Sequence, residues 1–364
     1  MRNPLWRAIT LVTTAAVILA ACSAEPQTGA SNSNSDAASA PNTQDTSGTA
    51  SLPDPRSLTG LSEVPELGDP RVIEGNFTQT LPASVTDAEN NSVTITDTSR
   101  ILALDLAGNI SRTVIALGYG DEIVGRTISS TETQLADLPV VTQDGHMLNA
   151  EAIINLRPTV VLADRSVGPP EAIDQVRNAG IPVVLLNPDH SIASVESDIT
   201  AIADALGVPE AGVALAQRTH DEIAAAREEI ATWAPQDPLS VAFLYVRGTA
   251  GIFFILGGGE GAADLIEGVG AQDAATTAGM TGTVPASAES LLAINPEVIF
   301  TMSSGLESTN GLDGLLARPG VAQTLAGSKQ RVIAIPDGTS LSFGPQTGEI
   351  LSSVARALYG VSGE

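Results

Sequence analysis

The chain has 364 residues, 43% of them hydrophobic and only 3% aromatic, with 17 lysines and arginines against 42 aspartates and glutamates. A formal net charge of −25 excludes a nucleic-acid partner, because phosphate contacts need clustered Lys and Arg. A single cysteine excludes any intramolecular disulfide.

In chain order the first element, residues 1–22, is an export signal. Arg2 and Arg7 make a basic start, residues 9–19 an apolar run too short to span a bilayer, and Leu19-Ala20-Ala21-Cys22 a small-residue cleavage site. That ending resembles a bacterial lipobox, which implies that Cys22 carries lipid; the alternative is an ordinary secretory signal with an incidental cysteine. Residues 23–68 are rich in Ser, Ala, Thr, Asn, Asp, Gln and Pro. Such a segment buries too little apolar surface to offset its ordering entropy, so it is expected to be a disordered tether.

The remaining roughly 295 residues suffice for two domains. Alternation begins with a strand at 101–104, a helix at 110–117 and a strand at 122–124. Next comes "NAEAIINLRPTVVLAD": Asn149, a short amphipathic helix, Pro158 and a buried strand at 160–162. A helix at 170–179 and a strand at 182–186 follow. Residues 210–233 form a long helical pattern of about 36 Å. Beyond it lie a strand at 239–245, a helix at 262–269 and a strand at 331–335.

Between those last two stands "SAESLLAINPEVIFTM", a second copy of the earlier unit. Glu289 matches Glu151 and Pro296 matches Pro158, both at an offset of 138 (289 − 151). A duplicated α/β unit in constant register implies two similar lobes. The expected fold is α/β: two doubly wound lobes, 69–208 and 235–364, joined by one long helix, 209–234, with a ligand cleft between the lobes. No second transmembrane-length apolar run exists, so the body is expected beside a membrane and not in it.

Three histidines are present. His190, in "NPDHSIAS", reads as part of a strand-to-helix turn, and His220 as a solvated helix residue. His146 sits just before a helix, on the edge where an α/β lobe presents loops to a ligand. In the second lobe Tyr245 and Arg247, two apart at a strand end, share one face. A tyrosine donor needs its proton removed, and a free phenol titrates near pH ~10, so a metal and a guanidinium nearby would both favour the anion. "GGGEGAADLIEG" lacks P-loop and dinucleotide spacing and reads as a turn into a helix. Asp105 and Asp121 stand in no nucleophile–base arrangement, and no nucleophile elbow or metal-hydrolase motif is present, so no enzyme is expected.

From Thr98 to Gly360, through the duplicated unit, the connecting helix and "FGPQTGEILSSVARALYG", the chain resembles the haemin-binding lipoproteins of bacterial haem ABC importers. These belong to the wider group of siderophore, cobalamin and haem substrate-binding proteins. The specific likeness rests on "DGHMLNAE" and "LYVRGTAG". It implies that His146 and Tyr245 bind haem iron from opposite faces, with Arg247 hydrogen-bonded to the tyrosine oxygen. Met147 and Arg165 are further candidates for the haem pocket. It also implies that Glu151 and Glu289 dock on the arginines of a permease, although a carboxylate in a first helical turn is favoured by the helix dipole in any case. The expected protein is a monomeric, lipid-anchored haem receptor on the outer face of the cytoplasmic membrane, serving iron uptake through an ABC permease and its ATPase. The alternatives are a ferric-siderophore or cobalamin receptor and, from another class, an extracytoplasmic enzyme or cell-wall interaction module.

Overall fold

A computed structural model describes residues 52–143, 145–249 and 251–362. The signal, the first part of the tether and Cys22 lie outside the described residues.

The described chain starts inside the expected tether. Pro55–Ser57 is a 3₁₀ turn and β1 (Leu61–Glu63) pairs in parallel with a strand near the far end of the sequence, so the boundary at residue 68 is too late. Polar contacts compensate for the low hydrophobicity of this segment. Arg56 Nε meets Glu297 Oε1 at 2.8 Å, and Arg331 donates to the Ser62 hydroxyl at 2.7 Å. The strap then crosses to the other lobe, where the Asp69 carboxylate accepts from the backbone N–H groups of Thr133 and Gln134.

In the N-terminal lobe a hairpin, β2 (Ala83–Thr86) and β3 (Ser92–Ile95), precedes β4 (Ile101–Leu104) and β5 (Ile123–Gly125). A two-stranded ribbon follows, β6 (Thr142–Gln143) with β7 (Met147–Leu148), then β8 (Val160–Ala163) and β9 (Val183–Leu185). The main sheet runs β5-β4-β8-β9, all parallel. Its strands are apolar on both faces because both are covered: Ile101 and Ala103 join one core cluster, Leu102 and Leu104 the other.

The C-terminal lobe contains β10 (Ser240–Arg247), β11 (Ile252–Leu256), β12 (Gln272–Asp273), β13 (Thr283–Pro285), β14 (Val298–Met302) and β15 (Val332–Ile335). The order is β1-β15-β14-β10-β11-β13, with β12 beside β10. The sheet is mixed, since β10 turns back through Gly248 to pair antiparallel with β11. The sequence reading gave no strand at the position of β11 and so did not anticipate this hairpin. The duplicated unit is present in both lobes: β8 begins at Val160 and β14 at Val298, 138 residues apart (298 − 160). Asn149 and Ser287 cap the preceding helices through side-chain bonds to backbone N–H groups.

The connector helix, Pro209–Ala231, buries Leu215, Ala216, Thr219, Ile223, Ala226 and Ile230, a stripe of helical period. Against it lies the C-terminal helix, Thr347–Tyr359, at a close approach set by Gly348, where a Cβ would stand 2.7 Å from the Glu222 carbonyl oxygen. One apolar cluster runs from the N-terminal sheet through both helices to Phe243 and Phe300 of the second sheet. A buried polar contact adds to it, as Arg112 of the first lobe donates to Gln346 Oε1 of the second at 2.6 Å.

Candidate functional site

Parallel strands end where their loops face a ligand, and here the C-terminal strand ends of both sheets border one cavity of about 550 Å³. It takes Leu106, Arg165 and His190 from the first lobe and Tyr245, Arg247 and Phe254 from the second. A larger cavity of about 700 Å³ lies by the β2–β3 hairpin, lined by the first lobe and Pro209 of the connector helix and by no residue of the second lobe.

Tyr245 and Arg247 reach the cavity because β10 alternates. Ala242, Leu244 and Val246 pack into the lobe interior, while Tyr245 and Arg247 are left half-buried on the other side. The Arg247 guanidinium lies 4.7 Å from the centre of the Tyr245 ring, a cation–π contact. Its hydrogen bonds go to Asp337 Oδ1 at 2.6 Å, to Met302 Sδ at 3.2 Å and to the Val246 carbonyl at 3.0 Å. No hydrogen bond joins it to the Tyr245 oxygen among the described residues. The expected Arg–Tyr proximity is present, and Asp337, which sequence reading missed, holds the arginine from the end of β15. Asp337 is itself fixed by the backbone N–H of Ser304 at 2.9 Å.

The first-lobe wall differs from expectation. His146 is exposed at the end of the β6–β7 ribbon, tied through its carbonyl to Gly168 N–H at 3.0 Å, and is outside the cavity lining. Met147 is 45% exposed and also outside it, so it forms no pocket wall here. Arg165 does line the cavity and is paired with Glu89. His190, read as a turn residue, is in that turn but forms part of the wall. Its Nε2 stands 3.0 Å from Asp164 Oδ2. Asp164 follows β8 and Asp105 follows β4, and both are fully buried. Sequence reading could have found the pair, since two aspartates each end a β-rich apolar run.

Burial is the main cause that pushes the Asp105 carboxyl up to about 7, with the neighbouring Asp164 adding to it. Asp198 is raised to about 6, again by burial. Burial works to lower the His190 imidazole, but the hydrogen-bonding and charge of Asp164 outweigh it and raise the group above its ordinary value. No group of three or more His, Cys, Asp and Glu side chains among the described residues is arranged to hold a metal ion.

Glu151 and Glu289 are exposed in the first turns of equivalent helices, on separate lobes. No described helix is long and apolar enough to cross a membrane.

Two α/β lobes closing on a cavity, with a long helix behind them, define a ligand-binding protein. The chain matches the periplasmic binding protein model over residues 106–339 and belongs to that family. It is 27% identical over 285 residues to the uncharacterised ABC transporter substrate-binding lipoprotein YvrC of Bacillus subtilis (strain 168), covering 78% of this chain and 87% of that protein. Among solved structures it is similar to the heme-binding protein HmuT, at 52% identity and TM-score 0.83 over 85% of this chain and all (100%) of that one. The periplasmic heme-binding protein RhuT from Roseiflexus sp. RS-1, in apo form, is 36% identical with TM-score 0.68, over 72% of this chain and 99% of that one. HmuT has also been solved with alanine at a histidine, at a tyrosine 99 residues later and at an arginine two beyond. His146, Tyr245 and Arg247 have the same spacing (245 − 146 = 99; 247 − 245 = 2).

Proposed function

We propose that the chain is a lipid-anchored extracytoplasmic receptor that binds haem between its lobes and delivers it to an ABC permease and its ATPase. The observation that carries this reading is the Tyr245–Arg247–Asp337 arrangement on the wall of an interlobe cavity. Ferric iron favours a hard anionic oxygen donor, and a guanidinium over the ring places positive charge beside a bound phenolate. One or two protein donors hold iron only when the metal brings its remaining ligands, as haem does; the lack of a larger donor cluster among the described residues agrees with that. Phe254, Leu256 and Met302 supply apolar surface for a porphyrin. The heme-binding names of the relatives, and the His–Tyr–Arg spacing shared with HmuT, support the same ligand.

In this reading Tyr245 and His146 are the two axial donors, and His146 ligates once its exposed side chain is brought to the cavity. Cys22 carries the lipid, the receptor acts as a monomer, and Glu151 and Glu289, one on each lobe, meet arginines of the permease. Titration with haemin tests the function: a saturable Soret band at about one haem per chain is expected. Saturable binding of cobalamin or a ferric siderophore with no haemin spectrum would replace haem as the cargo. His146→Ala tests the second donor, because loss of a ligating imidazole changes the ferric spectrum.

A further inference from the structure

The first-lobe wall of the cleft contains polar chemistry that iron ligation does not use. Asp105, Asp164 and His190 follow three adjacent parallel strands, β4, β8 and β9, so the sheet itself gathers them at one edge. Asp105 is 0% exposed and Asp164 1% exposed, and His190 covers them on the cavity side. Asp105 Oδ2 accepts from Asn109 N–H at 2.9 Å, and Asp164 Oδ1 accepts from Ser166 N–H at 2.8 Å. Asp105 Oδ1 and the imidazole Nδ1 have no hydrogen-bond partner among the described residues, while Asp164 Oδ2 and His190 Nε2 face each other as an ion pair at 3.0 Å, outside hydrogen-bond geometry. Two carboxylates so close and so dry do not both stay ionised without a proton or a cation to share.

We propose that Asp105, Asp164 and His190 form a proton-holding wall through which the cleft takes up a proton together with a carboxylate-bearing porphyrin. The inference rests on the haem reading and names which part of that cargo the first lobe senses. The charges facing the group are few. Asp198 lies on the helix behind it and is hydrogen-bonded by Ser194, Asp189 precedes His190 in the loop, and Glu132 faces Asp105. Arg165, next to Asp164, is engaged by Glu89. Across the cavity stand Glu260, Arg247 and Asp337, the last two paired with each other, while Asp264 is fixed on the Ile192 N–H.

Asp105, raised to about 7, exchanges its proton near neutrality, and His190 beside it is raised above its ordinary value by Asp164. An incoming anion favours their protonated forms, so binding draws in a proton and affinity rises as pH falls. Tyrosine ligation responds to pH in the opposite direction, because protons compete with iron for the phenolate oxygen. A metal-free porphyrin separates the two effects.

The test compares the full chain with the double variant Asp105→Asn/His190→Gln, titrated with metal-free protoporphyrin followed by its own fluorescence. The ligand's own titration is common to both proteins, so the affinity ratio isolates the wall. Parent over variant is expected to be about tenfold at about pH 6 and to fall to about one third at about pH 8. A ratio independent of pH overturns the inference. If the double variant does not fold, Asp105→Asn alone serves: equal to the parent at about pH 6, it should bind about threefold more tightly at about pH 8. Equality at both values overturns the inference too. Haemin binding by the parent is measured alongside; if the parent takes neither haemin nor protoporphyrin, the haem reading itself is lost.

Discussion

The two walls of the cleft belong to lobes that share a duplicated unit yet hold charge in opposite ways. On the second lobe the charges are fixed partners. Arg247 is clamped by Asp337, which is clamped in turn by Ser304, and the guanidinium lies over the Tyr245 ring. On the first lobe the charges are held behind the surface, where burial raises Asp105 to about 7 and Asp164 raises His190 above its ordinary value. A fixed arrangement suits a metal donor, which must be preorganised; a titrating one suits an anion whose charge must be matched when it arrives. The topological difference lies at the same place. The β10–β11 hairpin turns the second sheet antiparallel beside Tyr245, whereas the first sheet stays parallel and so gathers three loop residues at one edge.

The sharpest way to break the comparison is to remove the fixed donor. Tyr245→Ala should weaken haemin binding by about 100-fold, roughly 3 kcal/mol, in a Soret titration. An affinity within about twofold of the parent would remove Tyr245 from the iron.

Next in size is the contact on which both walls are mounted. Arg112 is buried against Glu132 at 3.4 Å and reaches Gln346 across the lobes. Arg112→Ala leaves Glu132 buried without its cation and should cost about 3–5 kcal/mol in urea unfolding. A loss below about 1 kcal/mol would mean that the shared apolar cluster alone sets the lobes.

Asp337→Asn should be milder, weakening haemin about tenfold by freeing the arginine, with the ferric spectrum still that of a tyrosine-ligated haem. Unchanged affinity would show that the clamp is not needed.

The titrating wall predicts a stability effect of opposite sign. A carboxyl whose folded-state value is raised to about 7 binds its proton in the folded protein where the unfolded chain has lost it. Stability from this group is therefore fully present below the unfolded value near ~3.9 and is lost as pH rises through about 7. Asp105→Asn should accordingly stabilise the ligand-free protein by on the order of 1 kcal/mol or more at about pH 8 and do little below about pH 4. Thermal melts at the two values check this; equal shifts at both would mean that Asp105 is not the titrating group.

The smallest expected effect on the ligand belongs to the lobe surfaces. The variant Glu151→Gln with Glu289→Gln should leave haemin affinity within about twofold while reducing transport through a reconstituted permease. Full transport would limit both residues to helix-end electrostatics.

Much of the architecture was written in local pattern. The constant offset of the repeated unit, its Asn149 and Ser287 caps and the helical stripe of the connector follow from periods of 2 and 3.6, which depend only on neighbouring residues. The same short-range logic put Tyr245 and Arg247 on one face of β10. Local pattern also set the tether boundary too late, because the scattered apolar residues of 54–68, such as Val64 and Leu67, meet their core only in the fold. The segment is ordered by partners more than 200 residues away, such as Glu297 and Arg331.

What only the tertiary structure decided was which side chains share the cavity. Asp105, Asp164 and His190 are spread over 85 residues (190 − 105) and adjoin solely because β4, β8 and β9 are neighbours in the sheet. Asp337 meets Arg247 for a similar reason, 90 residues on, since both stand at the cavity end of the second sheet. His146 shows the converse: its loop and type marked it as a ligand, yet the β6–β7 ribbon holds it outside the cavity lining, while His190 takes a place in the wall. Burial and strand order, which raise Asp105 and bring it beside Asp164, are properties of the packed sheet and are absent from any single stretch of sequence.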